Sequence, residues 1–226
     1  MSELLKIRDG VTKLFTSGTD STEVTPAQYR SFCYPKTVKL MRFEVKQYRV
    51  KGFGGFMTMY ADTAFGMQLL TSAFMPYECA DVPFLLIDIM TMKKKRLGFV
   101  EYYDCTEGKP EQPLLSAVHE KYCGLPEYSE KPAWYIGERS DYSLIKSLDP
   151  NGDRRLSAEL TADSVRAYKK AAFSAEKHAA NLDGLLAFRT RMINEGNPSS
   201  ATLKKVFGEK GAEEFFVRCV MPDGEN

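Results

Sequence analysis

The stretch PFLLIDIMTMKKKRLGFVEYY, residues 83–103, contains two apolar segments that are separated by a short basic run. Residues 84–92 and 97–103 are rich in aliphatic and aromatic side chains, which favour β-strands. The basic turn between them, from Lys93 to Arg96, is far shorter than the dozen or so residues that a parallel crossover needs. The stretch therefore predicts an antiparallel hairpin.

Similar strand-like segments flank this hairpin on both sides. The connections between the segments within residues 38–104 are short, which again favours antiparallel pairing. Gly52, Gly54 and Gly55 mark one of the turns or bulges between these segments. The sequence predicts further strands at residues 38–46, 56–60, 67–75 and 142–148.

Helical patterns occupy the rest of the chain. Residues 1–35 predict a helical or irregular lead-in, and residues 106–133 predict a surface connection with one helix at 114–122. Residues 157–194 are rich in Ala, Lys and Leu and predict a long helix. The predicted helix ends at a break formed by Gly196, Asn197 and Pro198. A second helix runs through Leu203 and stops at Gly208, and a last short helix contains Phe215 and Phe216.

Strands that are followed by helices indicate an α+β fold, in which helices pack over the faces of an antiparallel sheet. A chain of 226 residues suits a single domain. We expect one domain over residues 1–226, with the main strands of the sheet in 38–104 and the C-terminal helices in 157–222.

The composition limits the classes of partner. The formal net charge is only +1, so no global field attracts nucleic acid or an acidic membrane. No apolar run is long enough to span a bilayer, and the N-terminus lacks the pattern of a signal peptide. The five cysteines are scattered and have no metal-ligand spacing. We therefore expect a reduced, cytoplasmic, monomeric protein without a metal site.

Asp88 is the residue of the hairpin that needs an explanation. It follows four apolar residues and precedes two more, and a carboxylate in such a place loses hydration, so its pKa rises. On a strand, Phe84, Leu86, Asp88 and Met90 share one face. From these residues alone two readings stay open: a functional acid, or a structural aspartate that either faces a Lys or Arg or ends the sheet against water.

Two segments resemble the ferredoxin-dependent bilin reductases, the family that makes phycocyanobilin, phytochromobilin and phycoerythrobilin. The first, FMPYECADVPFLLID, is similar to the family's Phe-Pro segment, its Asp-Leu-Pro step and the strand with its functional aspartate. The second, residues 196–223, is similar to the family's C-terminal turn and helices, and residues 140–144 match more weakly. The matching residues are Met75, Pro76, Asp81, Val82, Pro83 and Asp88 in the first segment, and Phe207, Gly208, Glu209, Phe215 and Phe216 in the second.

The resemblance implies a three-layer α/β/α sandwich, with a central antiparallel sheet and helices on both faces. The bilin would lie between the sheet and the C-terminal helices. It also implies reduction of a linear tetrapyrrole, biliverdin or a dihydrobiliverdin, by single electrons from an external [2Fe-2S] ferredoxin, with no tightly bound cofactor. By the same resemblance Asp88 would protonate the substrate, and Asn197 would contact its pyrrole nitrogens or a carbonyl.

The chain departs from the family at three positions. The His and Glu of the phycocyanobilin branch align with Thr71 and Met59, and the second family acid aligns with Asn197. None of these residues donates a proton at neutral pH, which leaves Asp88 as the acid that is retained. This favours a simpler reduction or one of different regiochemistry. It also leaves open a carrier that binds bilin without reducing it, an unrelated α+β interaction domain, or reduction of a chlorophyll breakdown product.

Other residues are candidates for binding. Those expected to contact the substrate are Met59, Thr71, Leu86 and Met90 from the strands, with Lys146, Arg189 and Arg191 for its propionates. The basic turn is either a solvated hairpin turn or a docking patch for an acidic ferredoxin. The patch would comprise Lys93, Lys94, Lys95 and Arg96, together with Lys204 and Lys205. Cys79 and Cys105 are expected to be buried thiols rather than points of covalent attachment.

Overall fold

The computed structural model describes residues 2–78, 82–105, 111–150, 152–174, 182–197 and 199–224. Cys79, Asp81 and Pro198, which entered the sequence analysis, lie outside these ranges. The strands are β1 (Ser21–Glu23), β2 (Ser31–Tyr34), β3 (Met41–Val50), β4 (Gly54–Thr63), β5 (Gln68–Met75), β6 (Phe84–Met92), β7 (Lys95–Tyr103) and β8 (Leu144–Leu148). The helices are α1 (Glu3–Thr16), α2 (Pro113–Tyr122), α3 (Arg154–Ser174), α4 (Leu182–Asn194) and α5 (Ser200–Phe215), with a 3-10 turn at Trp134–Glu138 and a π turn at Phe216–Val220.

The described strands form one antiparallel sheet of eight strands in the order β1-β3-β4-β5-β6-β7-β8, and β2 also pairs with β3. The expected hairpin is β6 and β7, whose register runs from Met92 opposite Lys95 to Phe84 opposite Tyr103. From β3 to β7, each strand pairs with the next one in the chain, as the short connections predicted.

The lead-in was predicted incompletely. It contains α1, but also the strands β1 and β2, which pair with β3 at one edge of the sheet. These strands are short, and β1 has the sequence Ser-Thr-Glu, so neither shows a run of alternating apolar residues. They are strands because β3 offers them hydrogen-bonding groups, and local sequence does not reveal that pairing.

One face of the sheet packs against α1, α2 and α3. Leu85, Ile87 and Ile89 of β6 point into this layer. Its centre is Phe15 of α1, which is completely buried and contacts several aromatic rings of the sheet and of α3. This layer forms one of the two hydrophobic cores.

The other face packs against α4, α5 and the π turn. Phe84 and Leu86 of β6 point into this second core, where Phe188 of α4 and Phe215 of α5 also lie. Helices therefore cover both faces of a central antiparallel sheet. This confirms the α+β, three-layer α/β/α sandwich that was expected.

The predicted helix stop at Gly208 is a kink inside α5. Gly208 has φ 74° and ψ 174°, which interrupts the helical backbone, and the helix resumes and continues to Phe215. Glycine tolerates this left-handed φ because it has no Cβ. The predicted helix over 157–194 corresponds to α3 (Arg154–Ser174) and α4 (Leu182–Asn194), and residues 175–181 lie outside the described ranges.

Candidate active site

Asp88 lies in the middle of β6, on the face that packs against α4 and α5. In the sheet it pairs with Thr71 of β5 and Phe99 of β7. The Thr71 hydroxyl donates a short hydrogen bond to Oδ1 of Asp88. Among the described residues no Lys or Arg forms an ion pair with Asp88, and its place between β5 and β7 is not an end of the sheet.

Burial raises the pKa of Asp88 to about 7. The hydrogen bond from Thr71 acts in the opposite direction, and the negative charge of Glu101 raises the pKa further. The desolvation of the carboxylate is the larger effect, as expected for an acid that is enclosed by apolar side chains. Near neutral pH the Asp88 carboxyl therefore keeps its proton in a substantial fraction of molecules.

Two adjoining spaces meet at Asp88. A cavity of about 210 Å³ lies between the middle of the sheet and α5, and a narrow pocket of about 30 Å³ continues toward the π turn. Both are lined by Met59, Asp88, Ser199 and Leu203, so they form one cleft. Asp88 is partly exposed, and the exposed part of its side chain faces this cleft.

The walls of the cleft are mainly apolar. The wider cavity is lined by flexible Met side chains and rings that suit a flat ligand. The apolar side chains around it include Met41, Phe43, Ala61, Met67, Leu69, Met90 and Phe99. Polar groups are few among its walls, which is the usual pattern of a small-molecule site.

Six of the residues that were predicted to act together line this cleft. The narrow pocket is lined by Met59, Thr71, Leu86, Asp88 and Asn197. Met90 lines the wider cavity. They come from the three strands β4, β5 and β6 and from the connection between α4 and α5. The structure thus brings together residues that are more than a hundred positions apart.

Asn197 is held in place by its own loop. Its side-chain Nδ2 donates to the carbonyl of Met192 at 3.1 Å, and its Oδ1 accepts from the backbone N–H of Ser199 at 3.0 Å. These bonds fix the turn that leads into α5. The side chain lines the pocket, but its hydrogen-bonding groups are used within the protein.

The prediction that Lys146 binds a propionate is wrong. Lys146 is 1% exposed and lies on the face of β8 that also carries Leu144 and Leu148, which is the face away from the cleft. Its Nζ donates to the carbonyls of Cys123 at 2.8 Å and Leu125 at 3.2 Å, and forms an ion pair with Glu127. A lysine that is enclosed by protein acceptors cannot bind an anion in the cleft.

Arg189 and Arg191 are also engaged elsewhere. Nη1 of Arg189 donates to the carbonyl of Met221 at 3.0 Å and to Asp223 at 3.2 Å, which fixes the segment after the π turn. Arg191 pairs with Glu138 and Glu195 and lies over the ring of Trp134. Neither arginine lines the cleft, so their assignment to propionates is corrected.

Arg96 does not belong to the proposed docking patch. It lies in β7, is 2% exposed, and donates to Glu3 at 2.6 Å and to Ser157 at 2.9 Å. It therefore links the sheet to α1 and α3 on the face away from the cleft. Three exposed side chains remain at the hairpin turn: Lys93, Lys94 and Lys95.

Sequence reasoning missed a second acidic group at the cleft. Glu101 of β7 and Glu130 both line the wider cavity, and Arg139 forms ion pairs with both of them. The signal was present for Glu101, because strand alternation places it on the same face as Phe99 and therefore on the side of the cleft. Glu130 and Arg139 lie outside the strands, so no such pattern marks them.

A larger open space than the cleft lies elsewhere in the described structure. It is a groove of about 1030 Å³ on the opposite face, between α1 and α3. Its walls are helix-surface residues such as Lys13, Ala162 and Arg166, and it is widely open to solvent. Volume alone therefore does not identify the functional site. The cleft at Asp88 is the better candidate, because it is more enclosed and contains an acid with a raised pKa.

Within the described residues, no cluster of His, Cys, Asp and Glu could hold a metal ion. The helices of that same part of the chain include none that is both long and apolar enough to cross a membrane. No protein-family model matches the sequence, and no curated protein matches it.

Solved structures do resemble the fold. The crystal structure of phytochromobilin synthase from tomato, in complex with biliverdin, superposes with a TM-score of 0.77 over 96% of this chain and 82% of that one. The identity is 14%, so the likeness concerns the fold. The chain therefore has the fold of phytochromobilin synthase, in agreement with the architecture that the sequence resemblance implied.

Proposed function

We propose that the protein binds a linear tetrapyrrole, biliverdin or a dihydrobiliverdin, in this cleft and reduces it. A single observation carries the proposal: a carboxyl whose pKa burial raises to about 7 lines an apolar cleft between the sheet and the C-terminal helices. The similar fold of phytochromobilin synthase, which was solved with biliverdin, supports the class of ligand.

In the proposed reaction, electrons arrive one at a time and each reduced intermediate takes up a proton. Asp88 donates that proton to the pyrrole system, and Thr71 orients its carboxyl group. A general acid works best when its pKa lies near the working pH, which the environment of Asp88 achieves. Met59 and Met90 would pack against the face of the ligand.

We propose an external [2Fe-2S] ferredoxin as the electron donor and a cytoplasmic location. The described cysteines Cys33, Cys105, Cys123 and Cys219 are free thiols, which supports a reducing compartment. Cys105 packs against the second core and Cys219 is buried, in keeping with a packing role for both.

The proposal is tested by incubating the protein anaerobically with biliverdin, reduced ferredoxin and a regenerating system. Bleaching or a shift of the bound pigment spectrum, with a reduced product identified by chromatography, is expected. A bound spectrum that never changes would favour the second candidate, a non-catalytic bilin carrier. The absence of other proton donors at the positions of Met59, Thr71 and Asn197 favours that alternative. Absence of any binding would exclude both.

The pH dependence of turnover follows from the raised pKa of Asp88. The protonated carboxyl is the active form, so turnover should be highest below the pKa and should fall as the pH rises through about 7. Single-turnover rates between pH 5.5 and 9, measured at saturating reduced ferredoxin, check this. A rate that rises through the same range would contradict the assignment of Asp88 as the acid.

The hairpin lysines should affect the donor more than the pigment. Changing Lys93, Lys94 and Lys95 to Gln together should raise the apparent KM for ferredoxin roughly threefold to tenfold at low salt, because surface charges mainly steer encounter. The KM for bilin should change little. The matched control changes Lys6, Lys13 and Lys170, which are exposed on the opposite helical layer. Equal effects in the two triple variants would exclude docking at the hairpin.

A further inference from the structure

A second carboxyl group, that of Glu101, faces the cleft beside Asp88. In the register of β6 and β7, Glu101 lies opposite Leu86 while Asp88 lies opposite Phe99. The two acids are therefore diagonal neighbours on one face of the sheet, a relation that separates residues by about 7–8 Å. Both line the wider cavity, and Glu101 is only 1% exposed.

The charge of Glu101 is paired with Arg139, which also binds Glu130. Nε of Arg139 donates to Oε1 of Glu101 at 2.7 Å, and Nη2 of Arg139 lies 2.5 Å from the same oxygen. The hydroxyl of Tyr103 donates to the same carboxylate at 2.7 Å. Burial is the largest effect and raises the pKa of Glu101 above its ordinary value, while the charge of Arg139 and the hydrogen bonds from Tyr103 and Arg139 oppose that rise. Because a guanidinium is always charged, this clamp favours the ionised form of Glu101.

Asp88 has no comparable cation among the described residues. It is approached by the Thr71 hydroxyl from β5 and by Met59 from β4. Asn197 and Ser199, from the connection before α5, are uncharged. The remaining charged groups on the cavity side are Glu101 on β7, Glu130 on the segment before β8, and Arg139, which binds those two carboxylates.

Two carboxyls that face one cavity disfavour each other's ionisation, so the pair tends to hold one proton. The environments decide which acid carries it. Arg139 stabilises a charge on Glu101 and offers nothing to Asp88. We infer that Glu101 is a positioning residue of this site, and that its negative charge, fixed by Arg139, keeps the shared proton on Asp88.

This role is distinct from that of a second proton donor. Glu101 is enclosed by Arg139 and Tyr103, so it acts through Asp88 rather than on the ligand. The negative charge of Glu101 raises the pKa of Asp88, in the same direction as burial, which is the larger cause. That the Asp88 proton is used in catalysis rests on the proposed function. That the proton resides on Asp88 rather than on Glu101 does not.

The test is a carboxyl titration without pigment. The protein is labelled with ¹³C at the Asp side-chain carboxyl carbon, and the signal of Asp88 is assigned by its loss in Asp88→Asn. In the unmodified protein this signal should titrate near pH 7. In Glu101→Gln its midpoint should move to lower pH. A fall of one unit would reduce the protonated fraction at pH 7 from roughly one half to roughly one tenth.

Glu130→Gln is the matched control. This substitution removes an acid that lines the same cavity and binds the same guanidinium. Glu130 lies on the far side of Arg139 and does not contribute to the raised pKa of Asp88. The midpoint of Asp88 should stay close to that of the unmodified protein. An unchanged midpoint in folded Glu101→Gln, or an equal shift in both variants, would overturn the inference.

A second measurement does not depend on folding of a variant. The Glu side-chain carboxyl carbons of the unmodified protein are labelled with ¹³C. The signals of Glu side chains that are buried from solvent should not titrate at the pH where Asp88 titrates. A buried Glu that titrates near pH 7 while Asp88 stays ionised would reverse the assignment. If the unmodified protein does not bind or reduce bilin, the proposed function is refuted. The titration midpoints of the two carboxyls would not be affected by that result.

Discussion

Asp88→Asn should retain bilin binding and lose turnover by roughly 10²–10⁴-fold, the range that general acid catalysis usually contributes. The amide has nearly the shape of the acid, and its oxygen can still accept the hydrogen bond from Thr71. It cannot supply a proton near neutral pH, so reduction should stop at the first step that needs one. Absorbance titration measures the affinity, and anaerobic kinetics with reduced ferredoxin measures the turnover.

The control for this variant is Asp62→Asn. Asp62 lies near the end of β4 and pairs with Arg42 at the surface, so the same chemical change there should leave turnover within about twofold. Unchanged turnover in Asp88→Asn would refute the role of Asp88 as proton donor. Loss of bilin binding in that variant would instead show that Asp88 is needed for ligand binding.

Phe15→Ala should lower the free energy of unfolding by about 3–5 kcal/mol, as is typical for removal of a fully buried Phe. The Phe15 ring lies 4.8–5.1 Å, centroid to centroid, from the rings of Phe53, Phe56 and Phe74. Truncation would leave a cavity where α1 meets the sheet, and the surrounding aromatic residues can fill it only partly. Urea unfolding, followed by circular dichroism and by fluorescence, measures the change.

Phe65→Ala is the control, because Phe65 is 85% exposed in the turn between β4 and β5. Its truncation should change stability by less than about 0.5 kcal/mol. Below its unfolding transition, Phe15→Ala should still bind bilin, because Phe15 lies in the core on the opposite face of the sheet from the cleft. A similar loss of stability in the two variants would contradict the assignment of Phe15 to the centre of that core.

The strands from β3 to β7 could be predicted because their signals are local. Each has apolar, branched or aromatic residues in succession or in alternation with polar ones, and the connections are too short for anything but antiparallel neighbours. The alternation along β6 also placed Leu86, Asp88 and Met90 on one face, and the cleft confirms that grouping. The short edge strands β1 and β2 lack such a signal and were missed.

The desolvation of Asp88 was likewise expected from its apolar neighbours in the sequence, and the pKa of about 7 agrees with it. Its neighbour Glu101 was not considered, although it lies in the apolar segment 97–103 and obeys the same alternation. The clamp by Arg139 could not have been foreseen, since that residue lies outside the strands and reaches Glu101 across 38 positions.

The sequence by itself determined the pairing of the central strands, the division into sheet and helices, and an acid in an apolar strand. Only the tertiary structure decided which helical layer covers each face of the sheet. For that reason Lys146 and Arg96 were assigned to the wrong environments: alternation states which residues share a face, but not what that face meets. Contacts between distant segments form because whole layers pack to exclude water, and a property of the complete fold cannot be read from any one segment.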